Sequence, residues 1–220
     1  MWDQALAGVR KHLITYTKNA HFTVLGERPS GLRGDLSPKM DHLVCFMPGT
    51  IALAATEGRT EAEAKKRGPW GKKQESEMAL ARELMKTCWG MYLVTETHLA
   101  PEIAYFAIDD PPKMEADGIP ISNPISDDGH GSWRKDYIIH SQDQHNLQRP
   151  ETVESLFYMW RITGETMYRR WGWEMFKSFI KHTAVEDGAG FTSLDNANAI
   201  PAVWRDNMES FWLVSSHLFP

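Results

Sequence analysis

The sequence lacks several features that would assign it to common protein classes. No apolar run reaches the roughly 18 residues that a membrane-spanning helix needs. Its first residues lack a basic segment followed by an apolar one, so they do not form a secretory signal peptide. A net charge of −5 and a pI near 6.0 argue against a nucleic-acid binder, which needs a broad basic face. Phosphate-binding loops, dinucleotide fingerprints and nucleophile elbows are also missing from the sequence.

Cysteine is scarce as well, and Cys45 and Cys88 are the whole thiol inventory. Each lies in an apolar stretch with helical character. From the residues alone, two buried free thiols and one disulfide are about equally expected. A bridge would stabilise the chain by roughly 4 kcal/mol in the chain-entropy model. A closed zinc site would need suitably spaced histidines in addition, and none is evident.

What the sequence does contain is enough apolar material for a sizeable core. It has 220 residues, of which 42% are hydrophobic and 11% aromatic, and its nine tryptophans are unusually many. This composition predicts one ordinary domain. Tryptophans together with acids suit sugar binding, because aromatic rings stack on pyranose faces and carboxylates hold hydroxyls. The association is weak by itself, since most tryptophans belong to cores.

Apolar spacing predicts a mainly helical chain. The predicted helices cover residues 2–17, 42–57, 76–97, 150–163, 165–183 and 206–214. We expect Ser76 to cap the third helix and Gly164 to end the fourth. Segments 21–25 and 190–194 have strand character and are predicted to be hairpin arms. The polar segments 61–77 and 109–135 are predicted to be surface loops. This order of elements favours a helical toroid over a bundle.

The most informative stretch surrounds Pro150. Proline is tolerated at the first position of a helix, because its missing N–H would have no partner there. Glu151 and Glu154 then fall in the first turn on one face of the helix. Arg149 precedes them, close enough to hold a carboxylate or a sugar hydroxyl. The alternative is that the two acids merely complement the positive end of the helix dipole.

Five segments together resemble one enzyme family. They are KMDHLVCFMPGT at 39–50, LAPEI at 99–103, LQRPETVESLFY at 147–158, WGWE at 171–174 and RDNMESF at 205–211. In this order and spacing they resemble glycoside hydrolase family 47, the class I α-1,2-mannosidases that trim N-glycans. The resemblance implies an all-α fold, a partial (α/α)7 barrel with short β-hairpins in its connecting loops. Residues 1–220 would form a single partial domain, the C-terminal half of that barrel.

The resemblance also implies roles for particular residues. An inverting glycosidase needs one carboxylic acid to protonate the leaving oxygen and one carboxylate to activate water, about 6.5–9.5 Å apart. Glu151 matches the family's catalytic glutamate proposed as the base, and Glu102 matches another active-site acid. Arg149, His42 and Phe211 match positions that line the pocket for the terminal mannose. Without the resemblance, His42 would read as a helix histidine, Phe211 as a core ring and Glu102 as a surface acid.

Two further acids, Glu154 and Glu209, have open roles as substrate-binding candidates. For each of them, hydrogen bonding in the pocket and structural pairing with Arg149 or Arg205 are equally expected. The two cysteines match the family's disulfide pair. The resemblance therefore favours a Cys45–Cys88 bridge and the lumen of the secretory pathway, in the endoplasmic reticulum or Golgi.

Calcium is the cofactor that the resemblance implies for the parent enzyme. The family's threonine ligand is absent from this sequence, and Ser215 stands where the family has a glutamate. No residue is therefore expected to bind calcium directly, and Glu151 would reach it only through water. Calcium prefers six to eight oxygen ligands, so binding by this chain is expected to be weak or absent.

These observations predict a calcium-dependent, inverting enzyme that removes terminal α-1,2-linked mannose from high-mannose N-glycans. The remaining acids, including the proposed general acid, belong to a barrel half that this chain does not contain. We therefore expect the isolated chain to be inactive. One alternative is a non-catalytic mannose-binding module of glycoprotein quality control in the endoplasmic reticulum. Another is a mis-bounded reading frame whose product does not fold alone.

Overall fold

A computed structural model describes residues 1–115, 121–125 and 131–215 of the chain. Helices dominate these ranges. They are α1 Trp2–His12, α2 Met47–Thr56, α3 Glu61–Arg67, α4 Lys72–Leu93, α5 Glu151–Thr163, α6 Thr166–Thr183 and α7 Ser210–Ser215. Three short 3-10 helices add to them: His42–Phe46, Ser132–Asp136 and Glu186–Gly188. No helix in the described ranges is long and apolar enough to cross a membrane.

The strands form three small antiparallel sheets. They are β1 Ile14–Tyr16, β2 Thr23–Leu25, β3 Lys39–Asp41, β4 Ile103–Phe106, β5 Tyr137–Ile138, β6 Ser193–Asn196 and β7 Val203–Arg205. The pairs β1–β2 and β6–β7 are hairpins, as predicted for the connecting loops. The third sheet has the order β3–β4–β5 and joins strands that are distant in sequence. Local sequence patterns did not predict it.

The first helix is shorter than predicted. It ends at His12, whereas the apolar spacing continued it to residue 17. Ile14, Thr15 and Tyr16 instead form β1, and all three side chains are buried. These β-branched and aromatic residues suit a pleated, packed strand, and pairing with β2 outweighs the helical spacing.

The long central helix begins earlier than predicted. Gly71, not Ser76, is its N-cap, and the Gly71 N–H donates to Oε1 of Gln74 over 3.2 Å. Ser76 lies inside the helix, where its hydroxyl accepts a hydrogen bond from Arg10. The helix start was misplaced because serine reads as a cap from local sequence, while its actual partner is 66 positions away.

The prediction of a surface loop at 61–77 is wrong about its secondary structure. Residues Glu61–Arg67 form a helix that starts with a capping box, in which Thr60 and Glu63 bond each other's backbone N–H groups. The segment does lie mostly at the surface, as expected. In 109–135, Trp133 is buried in a 3-10 helix that begins at Ser132, while 116–120 and 126–130 lie outside the described residues.

The segment around Pro150 folds nearly as predicted. Helix α5 begins at Glu151, one residue after the predicted start, and Pro150 is its N-cap instead of its first residue. Gly164 ends it in the left-handed conformation, with φ of 75°, and its N–H donates to the carbonyl of Trp160. A glycine suits this position because a side chain would strain that backbone conformation.

The core lies where α2, α4 and α5 pack together. The disulfide Cys45–Cys88 is present, with an S–S distance of 2.07 Å and a Cα–Cα distance of 5.9 Å. It links the 3-10 helix His42–Phe46 to α4. The prediction of this bridge is confirmed, and both sulfur-bearing side chains are fully buried in the core.

Candidate active site

The centre of the site is a buried pair, Glu151 and His42. Oε2 of Glu151 lies 2.7 Å from Nδ1 of His42, and these residues are 4% and 2% exposed. Glu151 is the first residue of α5, and His42 is the first residue of the 3-10 helix that follows β3. The fold thus brings together two predicted site residues that are 109 positions apart.

The electrostatics of the pair favour an ionised Glu151. Burial raises the pKa of this carboxyl group, whereas the hydrogen bond from His42 lowers it. A backbone hydrogen bond and the charge of Arg149 act in the same direction as His42. The net result is a pKa below the ordinary value for glutamate, so Glu151 is a carboxylate at neutral pH.

A second pair, Arg149 and Glu102, lies beside the first. Nε of Arg149 donates to Oε1 of Glu102 over 2.6 Å. The Glu102 backbone is held on both sides: its N–H donates to the carbonyls of Asp143 and His145, and its own carbonyl accepts from the N–H of His42. These bonds fix Glu102 just ahead of β4, next to the helix that carries His42.

Phe211 completes the group of predicted residues. The guanidinium carbon of Arg149 lies 5.4 Å from the centre of the Phe211 ring, within cation–π range. Phe211 belongs to α7 and is partly buried. The structure therefore connects Glu102, Arg149 and Phe211 in one chain of contacts, with Arg149 next in sequence to the Pro150 cap of α5.

The two acids with open roles occupy different surroundings. Glu154 lies one turn beyond Glu151 on α5, and its pKa is raised by burial and by the negative charge of Glu151. Glu209 accepts a hydrogen bond from Nδ2 of Asn207 over 2.9 Å. Their suggested structural partners are engaged elsewhere in the described residues, Arg149 with Glu102 and Arg205 weakly with Asp195 at 3.9 Å.

A comparison with known families matches nearly the whole chain. The model described as "Glycosyl hydrolase family 47" matches residues 1–216. The chain belongs to glycosyl hydrolase family 47.

Individual relatives within family 47 agree with this membership. The chain is 46% identical over 213 residues to a mannosyl-oligosaccharide 1,2-alpha-mannosidase from Arabidopsis thaliana. This alignment covers 97% of the chain and 33% of the Arabidopsis protein. It is 39% identical over 216 residues to the endoplasmic reticulum mannosyl-oligosaccharide 1,2-alpha-mannosidase of Schizosaccharomyces pombe, covering 98% of the chain and 37% of that protein. The chain thus spans about a third of the length of these relatives.

A solved structure shows the same fold. The alpha-1,2-mannosidase from Trichoderma reesei superimposes with a TM-score of 0.72 at 20% identity. The match covers 99% of the chain and 40% of the Trichoderma protein. The mainly helical architecture with small antiparallel sheets is therefore that of a family 47 protein.

Sequence reasoning missed three buried residues that lie at this candidate site. The hydroxyl of Tyr92 lies 2.8 Å from Nε2 of His42, and Oγ1 of Thr152 lies 3.3 Å from the same nitrogen. Gln148 is fully buried with φ of 59°, and it turns the chain into Arg149. Tyr92 looks like an ordinary core residue of α4 in the sequence. The one sequence signal for Gln148 and Thr152 is that each is next in sequence to a predicted site residue, Arg149 or Glu151.

The residues present do not by themselves fit calcium. Within the described ranges, no three or more Asp, Glu, His or Cys side chains converge so as to hold a metal ion. Calcium takes six to eight oxygen ligands, more than the Glu151 and Glu102 carboxylates could supply. No residue of the described ranges is therefore assigned as a calcium ligand.

Proposed function

We propose that this chain forms part of the active site of an inverting α-1,2-mannosidase that acts on high-mannose N-glycans. The observation that carries the proposal is the buried, ionised Glu151 held by His42 beside Arg149 and Phe211. The printed names of the Arabidopsis and Schizosaccharomyces relatives support the reaction and the substrate class.

In this proposal Glu151 is the general base. Its carboxylate takes a proton from the water that attacks the anomeric carbon, on the face opposite the leaving oxygen. A base must be unprotonated before it acts, and the low pKa ensures this. A bound sugar would exclude further water from the pocket, which raises the pKa of a carboxylate and so increases its basicity.

The neighbouring residues would bind the mannose. Phe211 offers an apolar ring to the C–H face of the sugar. Arg149 has guanidinium donors for hydroxyl oxygens, and Glu102 has carboxylate oxygens that accept from hydroxyl hydrogens. Because Arg149 and Glu102 already bond each other, they would present a fixed set of polar atoms.

The general acid is not assigned to this chain. It must stand on the other side of the glycosidic bond, about 6.5–9.5 Å from the base, and so on a different element. We propose that it belongs to a part of the (α/α)7 barrel that this chain does not span, as does the calcium site. The isolated chain is then expected to bind sugar weakly and to hydrolyse nothing.

The site of action proposed for the protein is the lumen of the secretory pathway. Relatives named as endoplasmic reticulum enzymes support this compartment. The Cys45–Cys88 disulfide supports it too, because such bonds persist in oxidising compartments.

A hybrid enzyme tests the proposal. The segment of the Schizosaccharomyces enzyme that aligns with this chain is replaced by residues 1–216, and the hybrid is assayed with calcium on a high-mannose N-glycan. We expect release of mannose, first as the β-anomer because the reaction inverts, and no release by the isolated chain. A folded hybrid that binds the glycan but hydrolyses nothing would favour the non-catalytic module instead.

A further inference from the structure

His42 has a hydrogen-bond partner on each ring nitrogen. Nδ1 lies 2.7 Å from Oε2 of Glu151, and Nε2 lies 2.8 Å from the hydroxyl of Tyr92. A neutral imidazole has one donor nitrogen and one acceptor nitrogen. The chemistry of the two partners therefore determines which nitrogen carries the proton.

The two partners have opposite chemistry. Glu151 is ionised and can only accept a hydrogen bond, so Nδ1 must donate to it. Tyr92 is fully buried, and both burial and the negative charge of Glu151 raise the pKa of its phenol well above the ordinary value. The phenol thus stays protonated and can donate to Nε2.

We propose that Tyr92 is a positioning residue: by donating its hydroxyl hydrogen to Nε2 of His42, it keeps the imidazole proton on Nδ1, directed at Glu151. Its catalytic meaning rests on the proposed function of Glu151 as base. The arrangement of protons does not depend on that function. No proton leaves Tyr92 during the reaction.

Thr152 supports the same direction of donors. Its Oγ1 lies 3.3 Å from Nε2 of His42, so the Thr152 hydroxyl can donate to the same nitrogen as Tyr92. The donors then run from Tyr92 and Thr152 to Nε2 of His42, and from Nδ1 of His42 to Glu151. Every hydrogen in this series points toward the one carboxylate at its end.

The disulfide holds the two elements that carry the pair. Cys45 lies three residues after His42 in the 3-10 helix, and Cys88 lies four residues before Tyr92 in α4. The bond between them fixes these elements close to the His42–Tyr92 contact, where the ring centres are 5.7 Å apart. Both rings therefore sit in a covalently joined part of the core.

For the proposed reaction, the consequence is a fixed carboxylate. With Oε2 held by Nδ1–H of His42, Glu151 cannot rotate freely, and its base lone pair stays aimed at the water. A His42 with its proton on Nε2 would present a lone pair to the carboxylate and repel it. Tyr92 would thus act on Glu151 through His42 and not on the sugar.

Nitrogen-15 NMR of the imidazole rings tests the proposal on the chain as it is. The His42 signals are assigned from their loss in His42→Gln, and the spectra are recorded at pH 7. From the partners of the two ring nitrogens, we expect Nδ1 to carry a proton and Nε2 to carry none. A wild-type ring protonated on Nε2, alone or together with Nδ1, would overturn the proposal.

Tyr92→Phe tests the role of the hydroxyl. Loss of one buried hydrogen bond should lower the ratio of the Nδ1–H form to all other forms about tenfold. Tyr168→Phe is the matched control, because Tyr168 is equally buried and its hydroxyl has no hydrogen-bond partner in the described part of the chain. An unchanged ratio in folded Tyr92→Phe would contradict the proposal. If this variant does not fold, the wild-type spectrum still decides.

These outcomes are separable from those of the proposed function. The proton position is read without substrate, so it can fail while the hybrid enzyme is active. Conversely, an inactive hybrid with the expected His42 spectrum would refute the function and leave the tautomer assignment standing. In an active hybrid, Tyr92→Phe should lower kcat per folded enzyme molecule, counted by circular dichroism, and leave KM unchanged. Partial unfolding would lower the folded fraction and leave kcat per folded molecule unchanged.

Discussion

Arg149 and Glu102 form a direct polar link between the start of α5 and the start of β4. Their atoms Nε and Oε1 are 2.6 Å apart, and the side chains are 22% and 14% exposed. The pair is thus open enough to meet a ligand and buried enough to be ordered. Because Arg149 also lies over Phe211, one guanidinium group connects the polar and apolar sides of the site.

Replacing Arg149 by lysine should weaken sugar binding more than folding. Lysine keeps the charge but loses the planar fork that contacts Glu102 and the Phe211 ring together. We expect the affinity for α-1,2-mannobiose, measured by NMR titration, to fall about tenfold, and the unfolding free energy to fall by about 1 kcal/mol. Arg205→Lys is the control, because Arg205 is exposed and its ion pair with Asp195 is long, with Nε 3.9 Å from Oδ1. Equal affinities in the two variants would argue against a role for Arg149 in binding.

Removing the disulfide should destabilise the chain strongly. The bond between Cys45 and Cys88 spans 43 residues and restricts the unfolded chain. The double variant Cys45→Ala/Cys88→Ala should lose about 4 kcal/mol of unfolding free energy in the chain-entropy model. Urea denaturation with and without a reductant measures this, and the double variant should not respond to the reductant. A wild type that is equally stable when reduced would contradict the prediction.

The ionisation of Glu151 should appear in the pH dependence of stability. Its folded pKa lies below the ordinary value of 4.5, so its contribution is present above that pH and is lost as the pH falls through the folded pKa. Glu151→Gln should therefore be less stable than wild type at pH 7, by about 1–2 kcal/mol. The difference in unfolding free energy between wild type and Glu151→Gln should shrink below pH 4.5. Denaturation at several pH values checks this, and a gap that widens in acid would mean that the pKa is raised.

Glycine at position 90 should be required for packing. A Cβ there would stand 2.0 Å from the hydroxyl oxygen of Tyr137, which is held in place by its bond to the Thr87 carbonyl. Gly90→Ala should cost about 1–3 kcal/mol through overpacking.

Gly8→Ala is the matched control for that substitution. Gly8 lies inside α1, and a Cβ at this position would meet no other atom within 4 Å. Alanine there should stabilise the helix by up to about 1 kcal/mol. Thermal melts of the two variants should thus move in opposite directions, and a shared direction would contradict the packing argument.

The sequence predicted the parts of the fold that depend on local signals. Pro150 and Gly164 marked the ends of α5 to within one residue, because capping is a property of neighbouring residues. The family resemblance located Glu151, His42, Arg149 and Glu102 before any contact between them was known. Their convergence in the structure supports the grouping, while their roles in catalysis stay predictions.

What the sequence did not predict depends on distant partners. Ile14–Tyr16 has helical spacing, but it forms a strand because it pairs with β2. The β3–β4–β5 sheet joins segments far apart in sequence, so no local pattern marks it. Tyr92 has the same difficulty, because a core tyrosine and one that donates to His42 look alike until His42 lies next to it.

The most direct test of the central claim is the turnover of the hybrid enzyme with Glu151→Gln. Its control is Glu75→Gln, which removes an exposed acid from the first turn of α4. Loss of a general base should lower kcat about 10²- to 10⁴-fold while KM stays close to that of the parent hybrid, and the control should match the parent. Retention of full turnover by the Glu151→Gln hybrid would contradict the account.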